Sequence, residues 1–484
     1  MPRVVPFFRD FIFYIPANLV TAFGTLITII IVTNIFEPTN FGIYILFLNG
    51  TNLCTILFSR WLQQSVIRFL PETKTQGKLE SFQSQVLQLL IIISLIIVVM
   101  SLMFLFPVDY FNEHFTLLTV CVLYGISSIW FNSVLSFYQA SLSSKEFTTF
   151  NIYNSVLQLL FVLFFIFLIK PLIVFLFLSP FLSQTILVLI IINKDRIKVF
   201  NYNIDWSLIK SFLFYGFPLV GWFLASQILS VSDRYVISYF RGNSEVGIYS
   251  ATYSIINRGL GLFFSPMLMA AHPLLINKWE NSGRQNTQRM TVELIRYFII
   301  FALPIVILFF LLGKYIVTVL LGTNYESGYI LVPILTLGFF IWHLSMYLQK
   351  GIELSHRTYI MLILLIIIAG LNLLANFLIV PKFGMLGASY TTTFSYLFYA
   401  IGIFITSSKY LTIRLKFSFF VKLCIIGVAL VIFYKIFHAI VQISPTKWLF
   451  LIPIPFLIIY GILLKLFGEI SYKNIRKRIF EQCI

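Results

Sequence analysis

Long apolar runs, each bounded by charges or by Pro and Gly, recur along almost the whole chain. They fall at about 11–33, 42–59, 84–106, 115–139, 151–169 and 172–192. After the basic segment NKDRIKVFNYNIDWSLIK they resume at about 211–232, 246–275, 292–313, 328–349, 359–380, 386–407, 418–440 and 448–467. A helix rising about 1.5 Å per residue needs roughly 20 apolar residues to cross a hydrocarbon core of about 30 Å. The pattern therefore predicts an all-α polytopic membrane protein with about 14 transmembrane helices. Helices are the expected form because lipid offers no partner to an unpaired backbone group. The connections are short, so any function has to reside inside the helix bundle or at its faces.

Charge changes this picture by giving it an orientation. When the connections are assigned alternately to two sides, one side has only Lys170, Arg234, Arg241, Lys314, Lys382 and Lys447. The other collects most of the remaining Lys and Arg, including both termini, while Arg258, Lys422, Lys435 and Lys465 fall within predicted helices. Basic residues favour the cytoplasmic side, so both termini are expected there, in a multi-pass protein of the bacterial cytoplasmic (inner) membrane. The net charge of +17 would suggest nucleic acid in a soluble protein; here it reads as topology, and no nucleic acid partner is expected. Only 11% of the residues are charged and 59% are hydrophobic, against about 25% charged in soluble domains. Cys54, Cys121, Cys424 and Cys483 have no paired spacing, so neither a disulfide nor a metal site is expected. Arg3 and Arg9 precede the first apolar run without a small-residue cleavage site after it, which predicts an uncleaved first helix.

An internal repeat is visible. Phe11 to Pro16 (FIFYIP) returns as Phe212 to Pro218 (FLFYGFP), and Phe41-Gly-Ile-Tyr44 returns as Val246-Gly-Ile-Tyr249, with Asn52 and Asn257 at the same spacing beyond. Six intervening helices make it a parallel repeat. The expected organisation is two pseudo-symmetric six-helix lobes, residues 1–193 and 194–409, followed by a helix pair and basic tail at 410–484. Pro16, Pro218, Pro273 and Pro304 would bend their helices by removing a backbone hydrogen bond, either for packing or as part of a lobe motion.

The stretch 211–276 carries the sharpest polar signal. It reads as two spans joined by a short, wet turn holding Asp233, Arg234, Arg241 and Glu245. Arg258 follows about 12 residues after Val246, which at about 1.5 Å per residue puts it about 18 Å into a core of about 30 Å. A guanidinium at that depth costs about 2.5 kcal/mol or more, so it should face protein or a wet cavity, and a functional role is the first hypothesis. The alternative is a structural pairing with a helix end or with Asp233. Asn18, Asn52, Asn132, Asn154, Gln158, Gln227, Asn257, Asn372 and Asn376 punctuate apolar helices, either bonding across helices or meeting a polar cargo. His343 lies within a span and could titrate, although a lone intramembrane histidine is more often structural.

The segments EPTNFGIY, RFLPE, FYGFPLVGWFLASQILSVSDRY and VPKFGMLGASYTT, in this order and spacing, resemble the Wzx-type polysaccharide flippases. These belong to the multidrug/oligosaccharidyl-lipid/polysaccharide exporter (MOP) superfamily. The resemblance implies two six-helix lobes around a central cavity. It also implies a cargo of undecaprenyl-diphosphate-linked oligosaccharide, an O-antigen or capsule repeat unit, moved to the periplasmic leaflet by alternating access. It implies no enzymatic activity, no cofactor, and a glycan polymerase and glycosyltransferases as pathway partners beside membrane lipid. A mobile diphosphate calls for a cationic, hydrated surface, which arginine suits through its planar fork.

Cavity candidates are therefore Arg258, Asn257, Asn52, Arg60 and Arg68, with Arg68 matching the family's arginine after the second helix. Arg60 and Arg68 could equally be anchors reaching for the cytoplasmic interface. Asp233 and Arg234 match the family's aspartate-arginine pair and are candidates for an interlobe contact or gate, or for a local cap. Two other classes stand beside the flippase. A membrane-embedded glycan polymerase or glycosyltransferase would be expected to carry a long outer loop, and the outer loops here are short. A drug/cation antiporter of the same superfamily would need a carboxylate at mid-membrane depth, whereas all 17 acidic residues fall in loops or near helix ends. The chain also lacks the GxxxxGK[ST] phosphate loop of an ATP-driven pump.

Overall fold

The computed structural model describes residues 4–105, 115–197, 205–441 and 444–469, and the side chains of all of these except 4–19, 103–105, 218, 445–446 and 450. Among the described residues the chain is helical and has no strand. The helices are α1 (Val4–Ile35), α2 (Pro38–Thr75), α3 (Leu79–Leu105), α4 (Phe115–Ala140), α5 (Ser144–Phe164), α6 (Val174–Lys194), α7 (Trp206–Arg241) and α8 (Asn243–Leu321). They continue as α9 (Val332–Leu348), α10 (Lys350–Leu354), α11 (Tyr359–Ser407), α12 (Phe417–Ile440), α13 (Pro445–Leu451) and α14 (Pro453–Leu466).

Among the described residues, ten helical stretches are long and apolar enough to cross a membrane, or eleven if α7, bent by 40° about residue 218, is one span. Proline at that position removes a backbone hydrogen bond, the expected cause of such a bend. Two of the stretches are double. The 79 residues of α8 would extend about 120 Å if straight, but Gly283 breaks the helix with φ 75°. Gly384 breaks α11 with φ 55°. Both values lie in the left-handed region that glycine enters without steric cost. Counting each arm brings the spans to thirteen. The side chains of α1 are described from Val20 onward, where Val20–Ile35 is apolar.

The chain divides into two compact units, Met1–Ser250 and Ala251–Ile484. In the first, α2 and α7 pack closely. A Cβ on Gly216 would lie 2.2 Å from the Trp61 carbonyl oxygen, and the Ser65 hydroxyl donates to the Phe212 carbonyl at 2.8 Å. Around this seam Leu62, Val66, Leu70, Phe82, Val134 and Phe212 form part of a buried apolar cluster. The two Gly-Ile-Tyr segments meet in this unit. A Cβ on Gly42 would lie 2.0 Å from the Asn243 carbonyl oxygen, and one on Gly247 would lie 1.9 Å from that of Pro38. Pro38 and Asn243 open α2 and α8, so the two copies of Gly-Ile-Tyr cross at their helix starts.

In the second unit, α9 and α11 meet where the Thr393 hydroxyl donates to the Ile334 carbonyl at 3.0 Å. A buried ladder holds α11 across its break: Asn372 donates to Ser395 at 3.0 Å, Asn376 to Asn372 at 3.0 Å, and Thr391 to Asn376 at 2.5 Å. The C-terminal helices are joined to α8 by polar contacts. Tyr460 donates to the Ile300 carbonyl at 2.5 Å, and Glu469 accepts from Arg296 at 2.7 Å and from Lys422 at 3.1 Å. Lys422, which the sequence places within a predicted helix, is thus an ion-pair partner.

Candidate functional site

A polar cavity of about 320 Å³ lies in the first unit among α2, α4 and α7. Its floor is one face of α2. Asn52, Thr55, Ile56, Ser59, Arg60 and Gln63 recur every three to four residues, the spacing that aligns side chains on a helix. Asn132 of α4 and Phe223, Ser226 and Gln227 of α7 complete the lining, which contains no carboxylate.

Arg60 is held in place by a short relay. The Ser59 hydroxyl donates to the Thr55 carbonyl at 2.7 Å, and the Gln63 amide donates to Ser59 at 3.0 Å. This turns the Gln63 carbonyl oxygen toward Arg60, whose Nη1 donates to it at 2.9 Å. The guanidinium lies 4.3 Å from the centroid of the Phe223 ring. Its buried Nε has no hydrogen-bond partner among the described residues. The arrangement is a guanidinium positioned by neutral groups, with donor capacity left for an anion. The Asn132 amide donates to the Ser128 carbonyl at 2.7 Å, which leaves its own oxygen to accept from a hydroxyl.

The cavity brings together Asn52 and Arg60 from the sequence-based candidates, with Asn132 and Gln227 from the wider set of intramembrane amides. Arg68, two turns further along α2, is exposed beside the Phe69 ring at 5.7 Å and does not line it. Asn257 and Arg258 are both exposed on α8 in the second unit. Asn372 and Asn376 belong to the buried ladder of α11. Asn154 accepts from Ser183 at 2.9 Å. The His343 Nδ1–H donates to the Phe339 carbonyl at 2.8 Å. The Asn18 side chain and the basic tail from residue 470 lie outside what the structure describes.

Asp233 and Arg234 do not form the expected wet turn. Helix α7 continues through them to Arg241, and the chain reverses at Gly242 with φ 86°. Asp233 is fully buried and Arg234 is 5% exposed. Arg234 Nη1 contacts Asp233 Oδ1 at 2.8 Å and also donates to the Ser230 carbonyl. Tyr249, on α8, donates to Asp233 Oδ2 at 2.5 Å, and its ring lies 5.4 Å from the guanidinium. The pair is therefore a buried link across the α7–α8 hairpin.

Ser59, Gln63, Phe223 and Ser226 were not singled out from the sequence. Their signal was the polar stripe of α2 and the matching i, i+3, i+4 spacing on α7. Hydropathy alone hides it, because the apolar run at 42–59 ends where Arg60 begins while the helix continues.

Comparison with known proteins fits this architecture. The profile of a family described as polysaccharide biosynthesis protein matches residues 7–279. An uncharacterized membrane protein of Methanocaldococcus jannaschii is 22% identical over 397 residues, 76% of this chain and 77% of its own. A Shigella flexneri protein named as an O-antigen transporter is 25% identical over 201 residues, covering 40% of this chain and 46% of that protein. The capsular polysaccharide biosynthesis protein CapF of Staphylococcus aureus is 23% identical over 195 residues, with 40% and 49% covered. Among solved structures, the lipid II flippase MurJ in an inward closed conformation aligns over 97% of this chain and 98% of its own, with TM-score 0.67 and 15% identity. An inward-facing multidrug transporter of the MATE family in the MOP superfamily aligns over 83% and 94%, with TM-score 0.62 and 12% identity. The chain has the fold of these transporters, and it belongs to the polysaccharide biosynthesis protein family.

Proposed function

We propose that the protein is a flippase for a lipid-linked, anionic glycan, with its diphosphate held in the Arg60 cavity. The supporting observation is the guanidinium of Arg60, aimed by Gln63 and Phe223, with an unpartnered Nε and no carboxylate in the cavity wall. A site of this charge suits phosphate oxygens and disfavours a cationic drug. Asn52, Asn132 and Gln227 supply neutral groups suited to sugar hydroxyls. Arg258 and Asn257 form a second candidate. Asn257 is the repeat counterpart of Asn52, so a cavity-facing Asn52 supports the same role for its copy and for the arginine beside it.

The cargo is an undecaprenyl-diphosphate oligosaccharide, delivered by glycosyltransferases and passed to a polymerase. It moves from the cytoplasmic to the outer leaflet of the inner membrane by alternating access. Residues 1–193 and 194–409 act as the lobes, with 410–484 attached to the second. Arg68 guides the head from the cytoplasmic interface, and Asp233–Arg234 fixes the α7–α8 hairpin on which closure depends.

The test is transfer of a radiolabelled undecaprenyl-diphosphate oligosaccharide across proteoliposomes. Native protein, Arg60→Gln, Arg258→Ala and Arg258→Lys are compared. Transfer by native protein and loss with Arg60→Gln support the reading. Full activity of Arg60→Gln removes the Arg60 site from it, and no transfer by native protein overturns the flippase assignment.

A further inference from the structure

The second unit holds a cluster of acid and base side chains that the proposed function does not use. Lys350 of α10 is 5% exposed, and its Nζ lies 2.8 Å from Nδ1 of His272 on α8 and 2.5 Å from Oε2 of Glu353. The other carboxylate oxygen, Oε1, accepts from the Gln349 amide at 2.6 Å. Tyr399 of α11 donates to the Gln349 carbonyl oxygen at 3.4 Å. Lys350 and Glu353 are the charged groups that act on His272, and Tyr399 stands one hydrogen bond further away, behind Gln349.

These partners fix the state of the imidazole. An ammonium has donors and no acceptor, so Nδ1 accepts from Lys350 and the ring is neutral, with its proton on Nε2. A proton arriving at Nδ1 takes the lone pair that Lys350 uses, and two cationic donors then face each other. Glu353 Oε2 already lies 3.6 Å from the same Nδ1. A shift of roughly 0.7 Å would bring the two to the distance of a charge-assisted hydrogen bond. The His272 side chain is 47% exposed, so water reaches it although Lys350 is buried.

Helix α10 can respond on one side only. A Cβ on Gly351 would lie 2.5 Å from the Ser407 hydroxyl and 2.9 Å from the Ser407 carbonyl oxygen, so α10 is seated hard against the end of α11. Its contact with α8 through His272 is polar and reaches an exposed side chain, which makes that seam the one able to yield.

We propose that His272, Lys350 and Glu353 form a proton-operated latch between α8 and α10. With Nδ1 free, Lys350 bridges His272 and Glu353 and holds the two helices together. A proton binding at Nδ1 breaks the Lys350–His272 hydrogen bond, gives the imidazolium to Glu353 Oε2, and loosens the connection 349–357. The latch does not depend on what the protein carries.

Hydrogen–deuterium exchange of the full-length protein in lipid nanodiscs tests this. It is read on peptides covering 349–357, whose amides include those of His356 and Arg357 bonded to the Glu353 and Ile352 carbonyls. Rates are corrected for the intrinsic pH dependence of exchange and compared at about pH 5 and about pH 8, either side of the ordinary imidazole value. Native protein should exchange about tenfold faster in this segment at the lower pH, as local opening becomes easier. His272→Gln offers Lys350 an acceptor that gains no proton, and should remain slow at both. His356 is exposed in the same segment, and His356→Gln should keep the native response. A second reading comes from native protein carrying ¹⁵N-labelled histidine, in which the His272 ring should titrate with the same midpoint as the exchange. Equal corrected rates at the two pH values, a response that survives in His272→Gln or vanishes in His356→Gln, or two midpoints that differ would each overturn the proposal.

Discussion

Arg60 and Arg234 are both arginines within membrane-length helices of the same unit, and their surroundings are opposite. Arg234 is 5% exposed and meets a fully buried carboxylate, a backbone carbonyl and the Tyr249 ring. Arg60 is half-buried and meets an amide oxygen and the Phe223 ring, with its Nε unpartnered. A cation in low dielectric is either neutralised by the protein or left for a ligand to neutralise. Arg234 is the first case, and under the proposed function Arg60 is the second. Arginine at membrane depth is thus not by itself a mark of a binding site; the charge of its neighbours decides.

The strongest way to break the comparison is at Asp233. Removing one partner of a buried ion pair costs about 3–5 kcal/mol. Asp233→Ala should therefore lower thermal stability in detergent sharply, with transport falling only as far as folded protein is lost. Tyr249→Phe, which deletes one hydrogen bond to the same carboxylate, should cost about 1–2 kcal/mol. Equal stability of Asp233→Ala and native protein would show that the pair does not hold the hairpin.

Arg60 should respond in the opposite sense. Arg60→Gln removes a cation that has no carboxylate in its cavity, so stability should change by less than about 1 kcal/mol. Charge-assisted hydrogen bonds contribute about 1.5–3 kcal/mol, so binding of the diphosphate head should weaken roughly 10- to 150-fold. Isothermal titration with inorganic diphosphate reads this directly. Arg60→Lys should recover part of it, since an ammonium keeps the charge and loses the fork. A smaller effect belongs to Phe223→Leu. A cation–π contact contributes about 0.5–1 kcal/mol at an exposed site, so a two- to fivefold loss of affinity with unchanged stability is expected.

These two arginines also show what the sequence makes legible. Hydropathy located the spans and the exchange of apolar for polar text around 276–291, within which Gly283 breaks α8. It misplaced helix ends, because a helix does not stop where lipid does. The run at 42–59 belongs to a helix that continues to Thr75, so Arg60 stands well inside α2 and lines a cavity. The same error made a turn of Asp233 and Arg234, which lie two turns before the end of α7. The Gly-Ile-Tyr motifs at 42–44 and 247–249 were legible, and both stand near the starts of their helices, α2 and α8. Which polar residues face a cavity was legible only as spacing on α2. Which face each other across helices, as Asn376 and Thr391 do, depends on packing that no local pattern encodes.

A third arginine sharpens the comparison from between the two extremes. Arg296 has a carboxylate partner, as Arg234 does, but is itself 43% exposed, and Lys422 on the other side of Glu469 is 39% exposed. Burial alone would raise the Glu469 carboxyl; the hydrogen bonds from Arg296 and Lys422 outweigh it and hold the group below its ordinary value of 4.5. A carboxylate lowered in the folded state contributes stability that is fully present above its unfolded value and is lost as pH falls through the folded one. Stability should therefore be insensitive to this group from pH 7 down to about 5, and decline below about 4.5. Asp205, which caps α7, is also held low, chiefly by the Ser207 hydroxyl and also by backbone N–H groups, so the acid decline has two sources. Glu469→Gln separates them. With both basic partners solvated, it should cost only about 1 kcal/mol at pH 7, and the acid decline should become shallower while the part due to Asp205 remains. A full-sized acid decline in Glu469→Gln would mean that the clamp between α8 and the C-terminal helices does not depend on this charge.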